Sequence, residues 1–297
     1  MADTAHPWSV AEFKASDGFT LKLRRYLAPA TLRGEIVALH GVQSHAGWYE
    51  GSSTYLSQQG YNVSFLDRRG SGANMDARGD CPSFRRLVDD VAEYLASVPR
   101  VVSRDKSVVP VPVFLMSVSW GGKIAVALER RHPGLIDGLI LLAPGFFPKV
   151  HPPLSQRIRI FLARLVRPKT LFPIPLNDPE LFTATPRWLD FLRGDPLSLH
   201  QATARFMIES VRLDAYLRFA PKYVHAPTLL ILAELDRIIH NARTREFVER
   251  FVTTDKTVIE IAGGHHTLEF EPDPMIYLAE VVRWLHRHER PKTIPPA

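Results

Sequence analysis

Short runs of Val, Ile, Leu and Phe recur along this chain and alternate with longer segments whose apolar residues repeat every three to four positions. The runs at 35–39, 61–67, 111–116 and 138–143 are apolar almost throughout, as in strands covered on both faces. Two more, at 228–233 and 257–261, repeat the pattern near the C-terminus, and 20–27 alternates apolar and charged residues like a half-exposed strand. Between them, 83–98 places Phe84, Leu87, Val88, Val91 and Leu95 on one helical stripe behind Ser83, a suitable N-cap. Segments 120–131, 242–251 and 274–288 read as further helices. This order predicts an α/β fold with a mostly parallel sheet and helices on both faces.

The alternation fails between 147 and 226. Nine prolines fall between Pro148 and Pro196, and the segment reads as short helices without strands. Residues 154–166 carry Leu154, Ile158, Phe161, Leu162 and Leu165 at helical spacing, and 202–217 forms a second helical stretch. The simplest organisation is a core of 1–146 and 227–297 with a helical insertion at 147–226. The tail from 288 is polar and proline-rich and is expected to fray.

Charge and cysteine usage narrow the function classes. The 297 residues carry a formal net charge of +6, and the insertion holds twelve Lys/Arg against six Asp/Glu, which accounts for the whole excess. A basic balance alone does not indicate a nucleic-acid partner, and none is expected. It has two readings: a solvated face, with Arg157, Arg164 and Arg167 opposite an apolar stripe that packs on the core, or a face that meets anionic lipid surfaces. Cys81 is the single cysteine, so neither an intramolecular disulfide nor a cysteine-based zinc site is available. Neither a secretory leader nor an apolar window of bilayer length is read from the sequence, so a soluble, cytoplasmic protein is expected.

The chemistry-bearing segment is 113–122. Its buried strand runs through Ser117-Val-Ser119-Trp120-Gly121 into a helix, the strand–nucleophile–helix turn that exposes Ser119 at a sharp bend. A serine nucleophile needs an imidazole base and a carboxylate to orient it. Asp236 follows the strand at 228–233, and Gly263-Gly-His265-His266 follows the strand at 257–261. Both lie past the C-terminal ends of strands, where open α/β sheets place their sites. The order Ser119, Asp236, His266 is the hydrolase order. A further strand ends in His40-Gly41-Val42, whose Val42 N–H, with that of Trp120, is expected to form a two-donor oxyanion hole.

Together with His45, the run Asp67-Arg68-Arg69-Gly70-Ser71-Gly72, Leu232-Ala-Glu-Leu-Asp236 and His266-Thr-Leu-Glu-Phe-Glu271, these motifs resemble the α/β-hydrolase superfamily. Within it, the sequence looks like the monoglyceride lipases and lysophospholipases. The resemblance implies an eight-stranded sheet with a helical cap inserted after strand six. It also implies a serine esterase that cleaves small acyl esters, such as monoacylglycerols or lysophospholipids, through an acyl-enzyme, with no metal or other cofactor. Ser117 stands where the first elbow glycine is usual, and Glu234 where a glycine usually precedes the acid, which makes Glu234 a fallback for Asp236. Counting back from Glu271 by the family's spacing selects His266, with His265 the alternative. His40 is expected to fix its loop. His45, Phe161, Phe182, Trp188 and Phe206 are the expected substrate-lining residues. Acyl transfer, amide or C–C bond cleavage on the same triad, and ligand binding without turnover, are the competing readings; oligomeric state is open.

Overall fold

The computed structural model describes residues 7–100 and 110–289. The N-terminal six residues and the tail from 290, where fraying is expected, lie outside the described residues.

Along the chain run β1 (Ser9–Lys14), β2 (Thr20–Tyr26), β3 (Gly34–Leu39), α1 (Glu50–Gln58), β4 (Tyr61–Leu66), α2 (Phe84–Ser97), β5 (Val113–Val118), α3 (Gly121–Arg131) and β6 (Gly138–Leu142). The segment after β6 holds α4 (Leu154–Val166), β7 (Leu171–Pro173), α5 (Pro186–Gly194), β8 (Gln201–Thr203) and α6 (Ala204–Leu217). The chain then returns through β9 (Thr228–Ala233), α7 (Asn241–Glu249), β10 (Lys256–Ile261) and α8 (Met275–Arg287). Eight strands form one sheet in the order β1-β2-β4-β3-β5-β6-β9-β10. β2 runs antiparallel to β1 and β4, and every later neighbour is parallel. The chain is an α/β-hydrolase fold.

β3, β5, β6 and β9 are buried at every position, which explains their unbroken apolar runs. The sequence misplaces β5 by two residues and misses β1, an edge strand exposed enough that Val10 keeps 64% of its surface. Ser83 caps α2 as expected, its Oγ accepting from the Arg86 N–H at 3.2 Å.

Register is what builds a site. Leu39 pairs with Ser117, Val118 with Leu142, and Ala233 with Ile261. The loops leaving β3, β5, β9 and β10 therefore emerge side by side at the C-terminal edge of the sheet, bringing distant stretches of sequence together.

Two expectations for the insertion are corrected. It contains strands after all, the antiparallel pair β7–β8. And the apolar stripe of α4 does not pack on the core: Leu154, Ile158, Phe161, Leu162, Leu165 and Val166 are all more than half exposed. The helix docks instead through the opposite face, where Ile160 is buried in a small cluster with Phe172 and Ala204, with Ala163 and Met207 packed against it. Among the described residues no helix is long and apolar enough to cross a membrane.

Candidate active site

Ser119 occupies the bend between β5 and α3 with φ +52°, a left-handed backbone that a non-glycine residue holds only when its surroundings enforce it. The enforcement is visible. Its N–H donates to Leu142 O (3.0 Å), and its carbonyl accepts from the N–H groups of Gly122 (2.9 Å) and Gly145 (2.8 Å). Gly121 is required here, because a Cβ would lie 2.8 Å from His40 O. Ser117, at the position of the missing glycine, is fully buried and donates through Oγ to Ile140 O at 3.3 Å, so the departure is absorbed without distortion.

His266 Nε2 lies 2.8 Å from Ser119 Oγ, and His266 Nδ1 lies 2.6 Å from Asp236 Oδ2. The second oxygen, Asp236 Oδ1, accepts from the N–H groups of Ile238 (2.7 Å) and Ile239 (2.9 Å). Burial raises the Asp236 carboxyl, but the His266 ring and these two amides outweigh it and hold the group below its ordinary value. Asp236 and His266 are nearly inaccessible, whereas Ser119 keeps 9% of its surface. A hydroxyl, an imidazole and an ionised carboxylate thus stand in one hydrogen-bonded line. That arrangement can move a proton off the hydroxyl and stabilise the imidazolium so formed.

The alternatives resolve geometrically. Glu234 is exposed and accepts from Gly263 N–H at 2.7 Å, away from the imidazole. His265 is held by Glu271 through both its ring Nδ1 (3.0 Å) and its backbone N–H (2.8 Å). The glutamate that identifies His266 by spacing therefore bonds its neighbour.

The loop after β3 lies against the serine: a Cβ on Gly41 would sit 3.2 Å from Ser119 Cβ. His40 shapes this loop, as expected. Its Nε2 accepts from Arg68 N–H (2.9 Å), so its Nδ1 carries the proton and donates to Gly41 O (2.7 Å). Burial, with the nearby Arg68 charge, holds His40 well below the usual imidazole value, and it stays neutral.

The expected lining residues divide. Phe182 packs edge-on against His266 with ring centroids 6.2 Å apart, and Phe206 lies 5.4 Å from Trp120. Trp188 stacks on Phe270 at 4.5 Å rather than on a triad residue. Phe161 is not at the site; it points outward from α4, 57% exposed. His45 is buried with both ring nitrogens engaged, Nδ1 by Gly47 N–H (3.0 Å) and Nε2 by Asp195 Oδ2 (3.0 Å), so it is an internal tie rather than a free contact. Asp195, at the end of α5, also accepts from Trp48 Nε1 (2.7 Å) and Ser198 Oγ (2.7 Å). These donors hold it far below the ordinary carboxylate range despite its burial. Sequence reasoning missed this joint between the β3 loop and the insertion, because Asp195 sits in a stretch with no periodicity. It also passed over Arg68, described below.

The chain matches the family described as Serine aminopeptidase, S33, over residues 30–273. It is 25% identical over 264 residues to a monoacylglycerol lipase of Mycolicibacterium smegmatis, covering 86% of this chain and 89% of the relative. It is 24% identical over 312 residues to lysophospholipase L2 of Escherichia coli, covering 95% and 88%. A soluble variant of the Saccharomyces cerevisiae monoglyceride lipase, solved with a substrate analogue, superposes with a TM-score of 0.79 at 18% identity, covering 97% of this chain and 98% of that one. The family match spans most of the chain and the fold agrees with it: this protein belongs to the serine aminopeptidase S33 family of α/β-hydrolases.

Proposed function

We propose that the protein is a serine ester hydrolase acting on monoacylglycerols or lysophospholipid-type acyl esters. The observation that carries the reading is the continuous chain Ser119 Oγ–His266–Asp236, with contacts of 2.8 and 2.6 Å. Ser119 Oγ attacks the acyl carbonyl while His266 Nε2 takes its proton; the C–O bond to the alcohol then breaks as His266 returns that proton to the leaving oxygen. Water repeats the steps on the acyl-enzyme and releases the acid. The N–H groups of Val42 and Trp120 hold the oxyanion, each worth about 3–4 kcal/mol in the transition state. The steps draw on no metal or other cofactor. Residues 147–226 act as a cap over the site, with Phe182, Phe206 and Trp188 as its apolar lining.

The same reading places the enzyme at lipid surfaces. Six exposed apolar side chains on α4 are flanked by exposed Arg157, Arg159, Arg167 and Lys169, the composition of a helix that rests on an anionic interface. An acyl-chain series of glyceryl esters, lysophospholipids and p-nitrophenyl esters tests the function, with an aminoacyl p-nitroanilide as the amide arm. Faster turnover of the acyl esters is expected; turnover of the anilide alone overturns the ester reading.

A further inference from the structure

Arg68 follows the end of β4 and carries no expected role, yet its side chain is placed unusually. Its Nη2 donates to Val42 O at 2.8 Å, while Nε and Nη1 are buried and have no partner. No carboxylate bonds it among the described residues, although the neighbouring Asp67 charge favours its charged form; burial outweighs this and lowers it to about 10, so it stays charged at neutral pH. The guanidinium carbon lies 5.1 Å from the Trp120 ring centroid and 4.9 Å from that of Phe206, on α6 of the insertion. Two buried guanidinium nitrogens without hydrogen-bond partners are costly and are retained where something else uses the group.

What it touches suggests the use. The peptide between Gly41 and Val42 is trans and planar, so its C=O and N–H point in opposite directions. His40 Nδ1–H holds that C=O at 2.7 Å, and His40 is itself fixed by the Arg68 N–H at 2.9 Å. The next peptide is held through its own carbonyl by the Arg68 side chain. Both peptides flanking the Val42 Cα are therefore tied to one residue.

The geometry points to Arg68 as the positioning residue of the oxyanion loop: directly and through His40, it aims the Val42 N–H before substrate arrives, and its positive charge adds to the field that meets the developing oxyanion. This inference rests on the proposed esterase reading. The planar fork matters as well as the charge, because it holds the Val42 carbonyl while lying beside two aromatic rings; an ammonium cannot match that shape.

The test compares Arg68→Met, which keeps the packing stem, with Arg68→Lys, which keeps the charge, using the full chain and p-nitrophenyl butyrate. Removing one oxyanion donor typically costs a hundredfold to a thousandfold in kcat, so misaiming one should lower kcat of Arg68→Met by about tenfold to a hundredfold, with KM within about twofold. Arg68→Lys should fall in between. Inhibition by phenylboronic acid, which forms a tetrahedral adduct on the serine, should weaken in step with kcat. A purely structural role would lower melting temperature without that parallel. Unchanged kcat in Arg68→Met, or a loss carried by KM with boronate affinity intact, overturns the inference. If Arg68→Met does not fold, Arg68→Lys decides on the same readouts: lower kcat at constant KM supports the inference, and wild-type kcat overturns it. The esterase reading fails separately, when the wild type neither turns over the ester nor is labelled at Ser119 by a fluorophosphonate.

Discussion

Glu271 grips His265 at both its ring nitrogen and its backbone N–H, and so fixes the turn that delivers His266 to Ser119. Adjacent histidines thereby take unlike jobs. His266→Gln should lower turnover by at least about a thousandfold, since it removes the base. His265→Gln should keep most of the turnover and cost up to about 1 kcal/mol of stability, as expected for a partly exposed pair. Steady-state kinetics and urea unfolding of the two variants separate these outcomes.

The acid should be equally asymmetric. Asp236→Asn keeps the shape of the side chain but loses the charge that holds the His266 tautomer, so kcat should drop about ten-thousandfold. Glu234→Gln, whose carboxylate contacts Gly263 rather than the imidazole, should stay close to wild type. Comparable losses in both would reassign the acid.

A third expectation concerns stability and pH. Glu129, on α3, is buried, its Oε2 accepts from Ala226 N–H at 3.3 Å, and its Oε1 has no partner. Burial raises it from 4.5 to about 7. A carboxyl raised in the folded state binds protons that the unfolded chain has released, so stability declines as pH climbs from about 4.5 through about 7. The loss is on the order of 3 kcal/mol. Glu129→Gln should remove this slope, so it should raise the melting temperature more at pH 8 than at pH 5. Equal effects at both pH values would contradict it.

Much of the fold was legible because β3, β5, β6 and β9 are buried on both faces and leave uninterrupted apolar runs. The edge strand β1 and the three-residue strands β7 and β8 bury too little to leave one. Ser119, Asp236 and His266 were readable from their places after strands, and the register of those strands brings them together. The apolar stripe of α4 was readable too, but not its direction: periodicity says that a helix has an apolar face, not that the face turns inward. The contacts of His45 and Arg68 were not legible for another reason. They bond Asp195 and the Val42 carbonyl, partners that local sequence cannot supply.

That outward stripe gives a fourth expectation. Replacing Phe161 and Leu162, both more than half exposed, with glutamate should leave hydrolysis of a short water-soluble ester unchanged. It should reduce co-sedimentation with anionic phosphatidylglycerol vesicles, with each lost favourable contact worth about 1 kcal/mol or more. Wild-type protein that does not bind such vesicles at low salt would remove lipid docking from the account.

The catalytic claim reduces to one oxygen. Incubation of the wild-type protein with a fluorophosphonate probe, followed by peptide mapping, should place the adduct on Ser119, and Ser119→Ala should neither take up label nor hydrolyse p-nitrophenyl butyrate while melting like the wild type. A folded Ser119→Ala variant that still turns over the ester would mean that the hydroxyl beside His266 is not the nucleophile.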